Sequence, residues 1–268
     1  MQTSSVPEHV TWRERYERAL AEPRGWWATT GIHWLDDGTH LVGSDPTSTV
    51  LLPAGAPRHV GTLERVGFDV TFTPATTAEL AFAGDRVVEP VTFTVTKAGH
   101  PFTLSRSTFV VLRRQDRVGV RTYDAAAPAR RDGPPVAWFA YDPALVVTAR
   151  FVPGSLRTLP ITYALGGSDD VLVPGHLEFE LAGAPRRLTP FATDEGFHLV
   201  FRDATSGVST YGAGRFLMTG PVVEGRVELD FNRAYHPPCA HSPHATCPIP
   251  PRENHLDIAI EGGERHPA

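Results

Sequence analysis

Along most of this chain apolar and polar residues alternate one by one, a period of two that suits strands and not helices. Leu177, Phe179 and Leu181 alternate with His176, Glu178 and Glu180, so one face of an extended segment is apolar and the other polar. The same pattern runs through Phe68, Val70 and Phe72, through Val118, Val120 and Thr122, and through Val227, Leu229 and Phe231. Residues 91–95 and 109–112 are further β-rich stretches. In the better-patterned regions strand signals recur roughly every 8 to 14 residues, punctuated by turns. The 24 glycines and 25 prolines, free of repeats or low-complexity runs, supply those turns. Such spacing predicts an antiparallel sandwich or barrel rather than a βαβ fold.

One helix is expected. Thr11 and Glu14 read as a capping box, Trp12, Tyr16, Ala19 and Leu20 share a helical stripe, and Pro23 and Gly25 end it. The expected fold is therefore mainly β, in sandwich- or barrel-like lobes with one N-terminal helix. Strand should exceed a third of the chain and helix stay under about 15%. The proline-rich stretch 124–135 is the natural joint. It suggests a helix over 1–24, an N-terminal β lobe over 25–125 and a C-terminal β lobe over 136–268, or one continuous domain.

Composition removes several function classes. The net charge of −5 gives no general attraction to nucleic acid or anionic lipid. Mean hydropathy is −0.18, and no apolar run nears the ~20 residues of a membrane span. The first residues lack the basic and apolar regions of a secretory signal, and two cysteines make no disulfide scaffold. A cytoplasmic globular protein is expected, with no nucleic-acid or membrane partner. Lys97 is the single lysine, which argues against Schiff-base chemistry. G-x-S-x-G, Walker A, H-E-x-x-H and G-x-G-x-x-G are all missing, so no cofactor is expected.

The unusual text lies near the C-terminus. Asp230 and Asn232 lead into a loop holding Cys239, Cys247, His236, His241 and His244, with prolines at 237, 238, 243, 248, 250 and 251. Repeated fixing of φ makes a rigid loop, suited to placing side chains. Three readings stay open. The histidines and cysteines offer zinc-type ligands, though at a spacing unlike standard fingers. The two cysteines could instead be near neighbours that pin the loop. Alternatively, Cys239 could be a nucleophile activated by His236 or Arg215. A second cluster, Asp203-x-Thr205-x-Gly207 and Thr210 to Phe216, ends in Arg215 after a glycine turn. Its guanidinium fork suits an oxyanion, or an internal acid: Asp203, Asp230, Glu253 or Glu264.

These strings, with Gly31-Ile32-His33-Trp34-Leu35-Asp36-Asp37-Gly38, Val42-Gly43-Ser44-Asp45-Pro46, Leu51-Leu52-Pro53 and Gly262-Gly263-Glu264-Arg265, resemble the bacterial and archaeal family of domain of unknown function 1684. The resemblance spans nearly the whole chain beyond the first helix and brings no biochemical role with it. It implies that Arg215, Asn232, Tyr235, Cys239, Cys247, Glu253, Asn254 and Glu264 belong to the family pattern. The pattern has Asn at His236 and aromatic residues at His241 and His244, so a metal site built on those histidines would belong to this chain alone. Trp27, Gly43-Ser44-Asp45 and Leu51 to Pro53 also echo the start of forkhead-associated modules, an echo of architecture only.

Two functions follow. In the first, the C-terminal lobe takes a small polar or anionic molecule, in the manner of a hydrolase or lyase. Arg215 would hold an oxyanion, Glu253 or Glu264 would act as general acid or base, and Tyr211, Asn232, Tyr235 and Asn254 would orient the ligand, with no metal. In the second, the protein only binds, as a sensor or as an interaction module presenting Trp26 and Trp27. Arg215 is expected to contact Glu253 or Glu264, which bracket an expected strand at 256–260, with Asn232 or Tyr235 in the same cluster. An open cluster would be a site; a sealed one would be a structural lock.

Overall fold

The alternating stretches are mostly extended, although Phe68 falls in a turn and Phe231 opens a 3-10 segment, and strands account for 47% of the residues. The computed structural model describes residues 6–75, 80–131 and 135–267. Residues 132–134, within the expected joint, lie outside the described set. Two compact units emerge: Ala19–Asp132, and Met1–Arg18 together with Gly133–Ala268.

The unit Ala19–Asp132 contains β1 (Thr29–Leu35), β2 (Gly38–Gly43), β3 (Val50–Leu51), β4 (Gly61–Val66), β5 (Asp69–Pro74), β6 (Leu80–Phe82), β7 (Asp85–Arg86), β8 (Val91–Thr94), β9 (His100–Leu104), β10 (Ser107–Arg114) and β11 (Arg117–Asp124). They form a six-stranded sheet in the order β1-β11-β10-β9-β6-β7 and a five-stranded sheet in the order β3-β2-β4-β5-β8. All pairs among these strands are antiparallel except β2–β3. Apolar faces of the two sheets meet in one core. Phe72 of β5 lies 4.8 Å from Phe102 of β9 and 5.7 Å from Phe109 of β10, ring to ring, where each buried aromatic contributes roughly 1.5–3 kcal/mol. The arrangement is a sandwich without a closed barrel.

The other unit holds α1 (Val6–Ala21), most of it, and β12 (Ala137–Trp138), β13 (Val146–Thr162), β14 (Ser168–Leu181), β15 (Ala184–Leu188), β16 (Phe191–Ala192), β17 (Phe197–Phe201), β18 (Arg215–Met218), β19 (Arg226–Asp230) and β20 (Glu264–Arg265). A four-stranded sheet, β15-β14-β13-β19, faces a three-stranded one, β16-β17-β18, and β12 pairs with β20. Phe151 of β13 meets Phe197 of β17 at 5.1 Å, and Phe231 packs between Phe179 and Phe201. The other face of the four-stranded sheet is polar, as the alternation at 176–181 requires.

Two local expectations are corrected. The helix begins at Val6, not at Thr11, because Pro7 suits a first turn; the Thr11 hydroxyl donates to the Pro7 carbonyl from inside the helix. Residues 256–260 are not a strand. The Leu256 amide donates to the Arg202 carbonyl and the Ala204 amide to the Ile258 carbonyl, too few bonds to make a ladder. The chain bends at Gly263, where φ is +80° and a Cβ would lie 2.1 Å from the Ala234 carbonyl oxygen.

Candidate functional site

Arg215 opens β18 and is sealed. Its partner is neither Glu253 nor Glu264 but Asp203: the two side chains are both 0% exposed and meet at 2.9 Å. The guanidinium also donates to the carbonyls of Gly262 and Ile260. Asp203 in turn accepts from the Ile260 amide at 2.7 Å and from the hydroxyls of Thr205 and Ser206. This buried ion pair, its guanidinium bonded to two carbonyls and its carboxylate to the Ile260 amide, ties β18 to the C-terminal segment, while Arg215 Nε has no hydrogen-bond partner among the described residues. The expectation that Arg215 holds a ligand oxyanion is therefore replaced by an internal lock.

Glu264 is the centre of a second buried network, 2% exposed. One carboxylate oxygen accepts from the Tyr16 hydroxyl at 3.0 Å and the His236 amide at 2.7 Å; the other faces His236 Nδ1 at 3.2 Å and His241 Nε2 at 3.4 Å. His236 Nε2 accepts from the Tyr211 amide at 3.1 Å, so the ring proton sits on Nδ1 and points at Glu264. Burial keeps His236 below its ordinary pKa, against the pull of Glu264. Burial alone would raise Glu264, but hydrogen bonds from His236 and His241 outweigh it and hold the carboxyl at about 2. Tyr16, buried beside this carboxylate, is pushed well above 10. The result is an ionised Glu264 fully occupied by α1 and the proline-rich loop. Tyr16 escaped the sequence reading because its helical stripe reads equally well as plain packing.

The remaining expected site residues are dispersed. Asn232, 0% exposed, accepts from the Asp142 amide and donates to the Asp142 carbonyl, both at 2.9 Å. Asn254, equally buried, holds Thr189 from both sides and the Val200 carbonyl. Tyr235 exchanges backbone bonds with Phe216 and its ring lies tilted against that of Tyr16, 5.3 Å between centroids; burial pushes its hydroxyl up to about 12. Glu253 lies at the surface, paired with Arg157 at 2.7 Å and bonded to the Thr189 hydroxyl. So Glu253 and Glu264 do not share a site, and Asn232 does not join Arg215. The Tyr211 hydroxyl donates to the Cys239 carbonyl at 3.3 Å, and the Cys239 amide lies 3.2 Å from Cys247 Sγ. Among the described residues no group of three or more His, Cys, Asp or Glu side chains is placed to hold a metal ion. Trp26 and Trp27 do not form an open patch, since Arg121 and Arg131 stack over them.

Concavity lies elsewhere in this unit. A groove of about 610 Å³ runs over the polar face of the four-stranded sheet, lined by Thr148, Arg150, Glu178, Glu180, Arg187 and Arg226 among others. Register explains the lining: Arg226 of β19 sits opposite Arg150 of β13, Arg150 opposite Glu178 of β14, and Glu178 opposite Arg187 of β15. Glu178 is engaged by Arg150 and by His176. Among the described residues no carboxylate lies within ion-pair distance of Arg187 or Arg226. Arg226 also lines a neighbouring hollow of about 290 Å³ with Glu228, Asp230 and Arg233. There burial, helped by the charge of Asp230, raises the Glu228 pKa. These residues were missed as a site, although the alternation of Arg226, Glu228 and Asp230 with Val227 and Leu229 places them on one strand face.

The geometry defines a mainly β protein whose C-terminal polar residues are largely spent on internal bonds. Residues 134–265 match the family described as a protein of unknown function, DUF1684, and through this segment the chain belongs to that family. The match takes in Arg215 and Glu264 but not the strings at 31–53, which narrows the expected reach of the resemblance. An uncharacterized protein of Haloarcula marismortui, solved in solution by NMR, is 32% identical; the similarity covers 51% of this chain and 79% of that one, with a TM-score of 0.43. The curated proteins contain no match. No helix among the described residues is long and apolar enough to cross a membrane.

Proposed function

We propose that the DUF1684 segment binds a small anionic molecule, bearing phosphate or carboxylate groups, in the groove over β13, β14, β15 and β19. The observation that carries this reading is the row Arg226, Arg150, Glu178, Arg187, directly opposed across four strands. Like charges facing each other across a sheet are unfavourable, and the row's one carboxylate, Glu178, is paired with Arg150 and not with Arg187 or Arg226. An anion would relieve the repulsion and receive bidentate hydrogen bonds.

A hydrolytic version rests on Glu228. Its raised pKa, in a hollow that shares Arg226 with the groove, suits a general acid beside a bound anion. Calorimetric titration with inorganic pyrophosphate and with citrate tests the binding claim at low salt. Loss of one charge-assisted contact, about 1.5–3 kcal/mol, should weaken binding by roughly 10- to 150-fold in Arg226→Ala. Absence of binding by either anion, or equal affinity in the variant, would refute the assignment. Glu228→Gln should retain binding.

A further inference from the structure

The loop cysteines are not among the residues that line the arginine groove, and Cys239 adjoins the Glu264 network through Tyr211, whose amide bonds His236 and whose hydroxyl bonds the Cys239 carbonyl. Cys239 sits in a one-turn 3-10 segment, Pro238–Ala240, and is partly exposed; Cys247 is 4% exposed. Both are thiols. The backbone holds them in place from two sides. The Cys247 carbonyl accepts from the Ala164 amide at 2.9 Å, and the Ala240 and His241 amides close the turn onto Pro237 and Pro238. Within this frame the Cys239 amide points at Cys247 Sγ, 3.2 Å away.

We propose that Cys239 and Cys247 form a peroxide-reactive dithiol, in which Cys239 is the attacking thiolate and Cys247 the resolving thiol. A reactive cysteine needs access, thiolate character and a nearby second thiol. Exposure gives Cys239 the first, and the Cys247 contact supplies the third. For the second, the hydrogen bond from the Cys247 thiol lowers the Cys239 pKa to about 7, against the opposing effect of burial.

The chemistry balances with a hydroperoxide as oxidant. The Cys239 thiolate attacks the terminal peroxide oxygen and the O–O bond breaks. Alkoxide leaves and takes a proton as the alcohol, or as water when the oxidant is hydrogen peroxide. Cys239 is then a sulfenic acid. Cys247 sulfur attacks it, the S–O bond breaks, and hydroxide leaves with the Cys247 proton as water. Two thiols are oxidised to one disulfide and one peroxide is reduced.

The test is thiol titration and intact mass on the full chain treated with stoichiometric hydrogen peroxide. The expected result is loss of both thiols, a mass decrease of two hydrogens, and full reversal by a dithiol reductant. Cys247→Ser should stop at a sulfenic acid on Cys239 that a 1,3-dione traps; Cys239→Ser should leave Cys247 a thiol. Retention of both thiols in the wild type, oxygen addition without a disulfide, cross-linked dimers in place of the internal bond, or oxidation of Cys247 in Cys239→Ser would each overturn the proposal.

Discussion

At the scale of single residues, Arg215 and His198 make opposite demands on their surroundings. Arg215 is buried with its countercharge and two carbonyls. Arg215→Ala should strip Asp203 of its partner and destabilise by roughly 3–5 kcal/mol, read by urea unfolding, while anion affinity in the groove stays unchanged. A variant that loses anion affinity while keeping its stability would return Arg215 to the role of ligand holder. His198 packs edge-on to Phe216 at 4.6 Å, and its Nε2 has no hydrogen-bond partner among the described residues. Burial lowers its pKa from 6.5 to about 4, and His9 moves the same way, chiefly by burial. Between those two values the unfolded chain binds protons that the folded chain refuses, so stability falls as pH drops from 6.5 toward 4. His198→Phe should flatten that slope by up to ~1.4 kcal/mol per pH unit. A slope equal to that of the wild type would mean the imidazole is already charged in the fold. Glu264 acts in a lower window. Its folded pKa of about 2 lies below the ordinary 4.5, so its contribution is complete above pH 4.5 and lost as pH falls toward 2.

At the scale of elements, α1 is anchored by the Tyr16 hydroxyl on a buried carboxylate. Tyr16→Phe leaves a charged acceptor short of one donor and should cost about 1.5–3 kcal/mol, measured by thermal or urea unfolding; a loss under about 0.5 kcal/mol would show the anchor to be packing alone. Many strands were legible because one face is buried, as at 69–72 and 177–181, whereas 118–122 is a strand buried on both faces. Legibility failed where hydrogen bonds, not apolar burial, set the backbone. Residues 256–260 carry a strand-like pattern, yet buried Asp203 captures the Ile260 amide that a ladder would have used. Thr11 resembled a cap because capping boxes are local, whereas Pro7 had already started the helix. The candidate site was half legible. Arg215, Asn232, Asn254 and Glu264 stood out as polar residues in odd strings, but sequence cannot distinguish a side chain satisfied by its own backbone from one reserved for a ligand. The arginine row is a matter of register between four strands, which no single strand's pattern contains.

At the scale of the molecule, the segment of known family carries both the lattice of buried polar bonds and the arginine groove. The division of labour between them is the central claim: the lattice stabilises, and the groove binds. The most direct measurement is amide chemical-shift mapping by NMR as inorganic pyrophosphate is titrated into isotope-labelled protein. Shifts should concentrate on Thr148, Arg150, Glu178, Arg187 and Arg226 and saturate together. Shifts centred on Arg215, Asn232 and the loop from His236 to Cys247, with the sheet face silent, would contradict the assignment and move the site back to the C-terminal cluster.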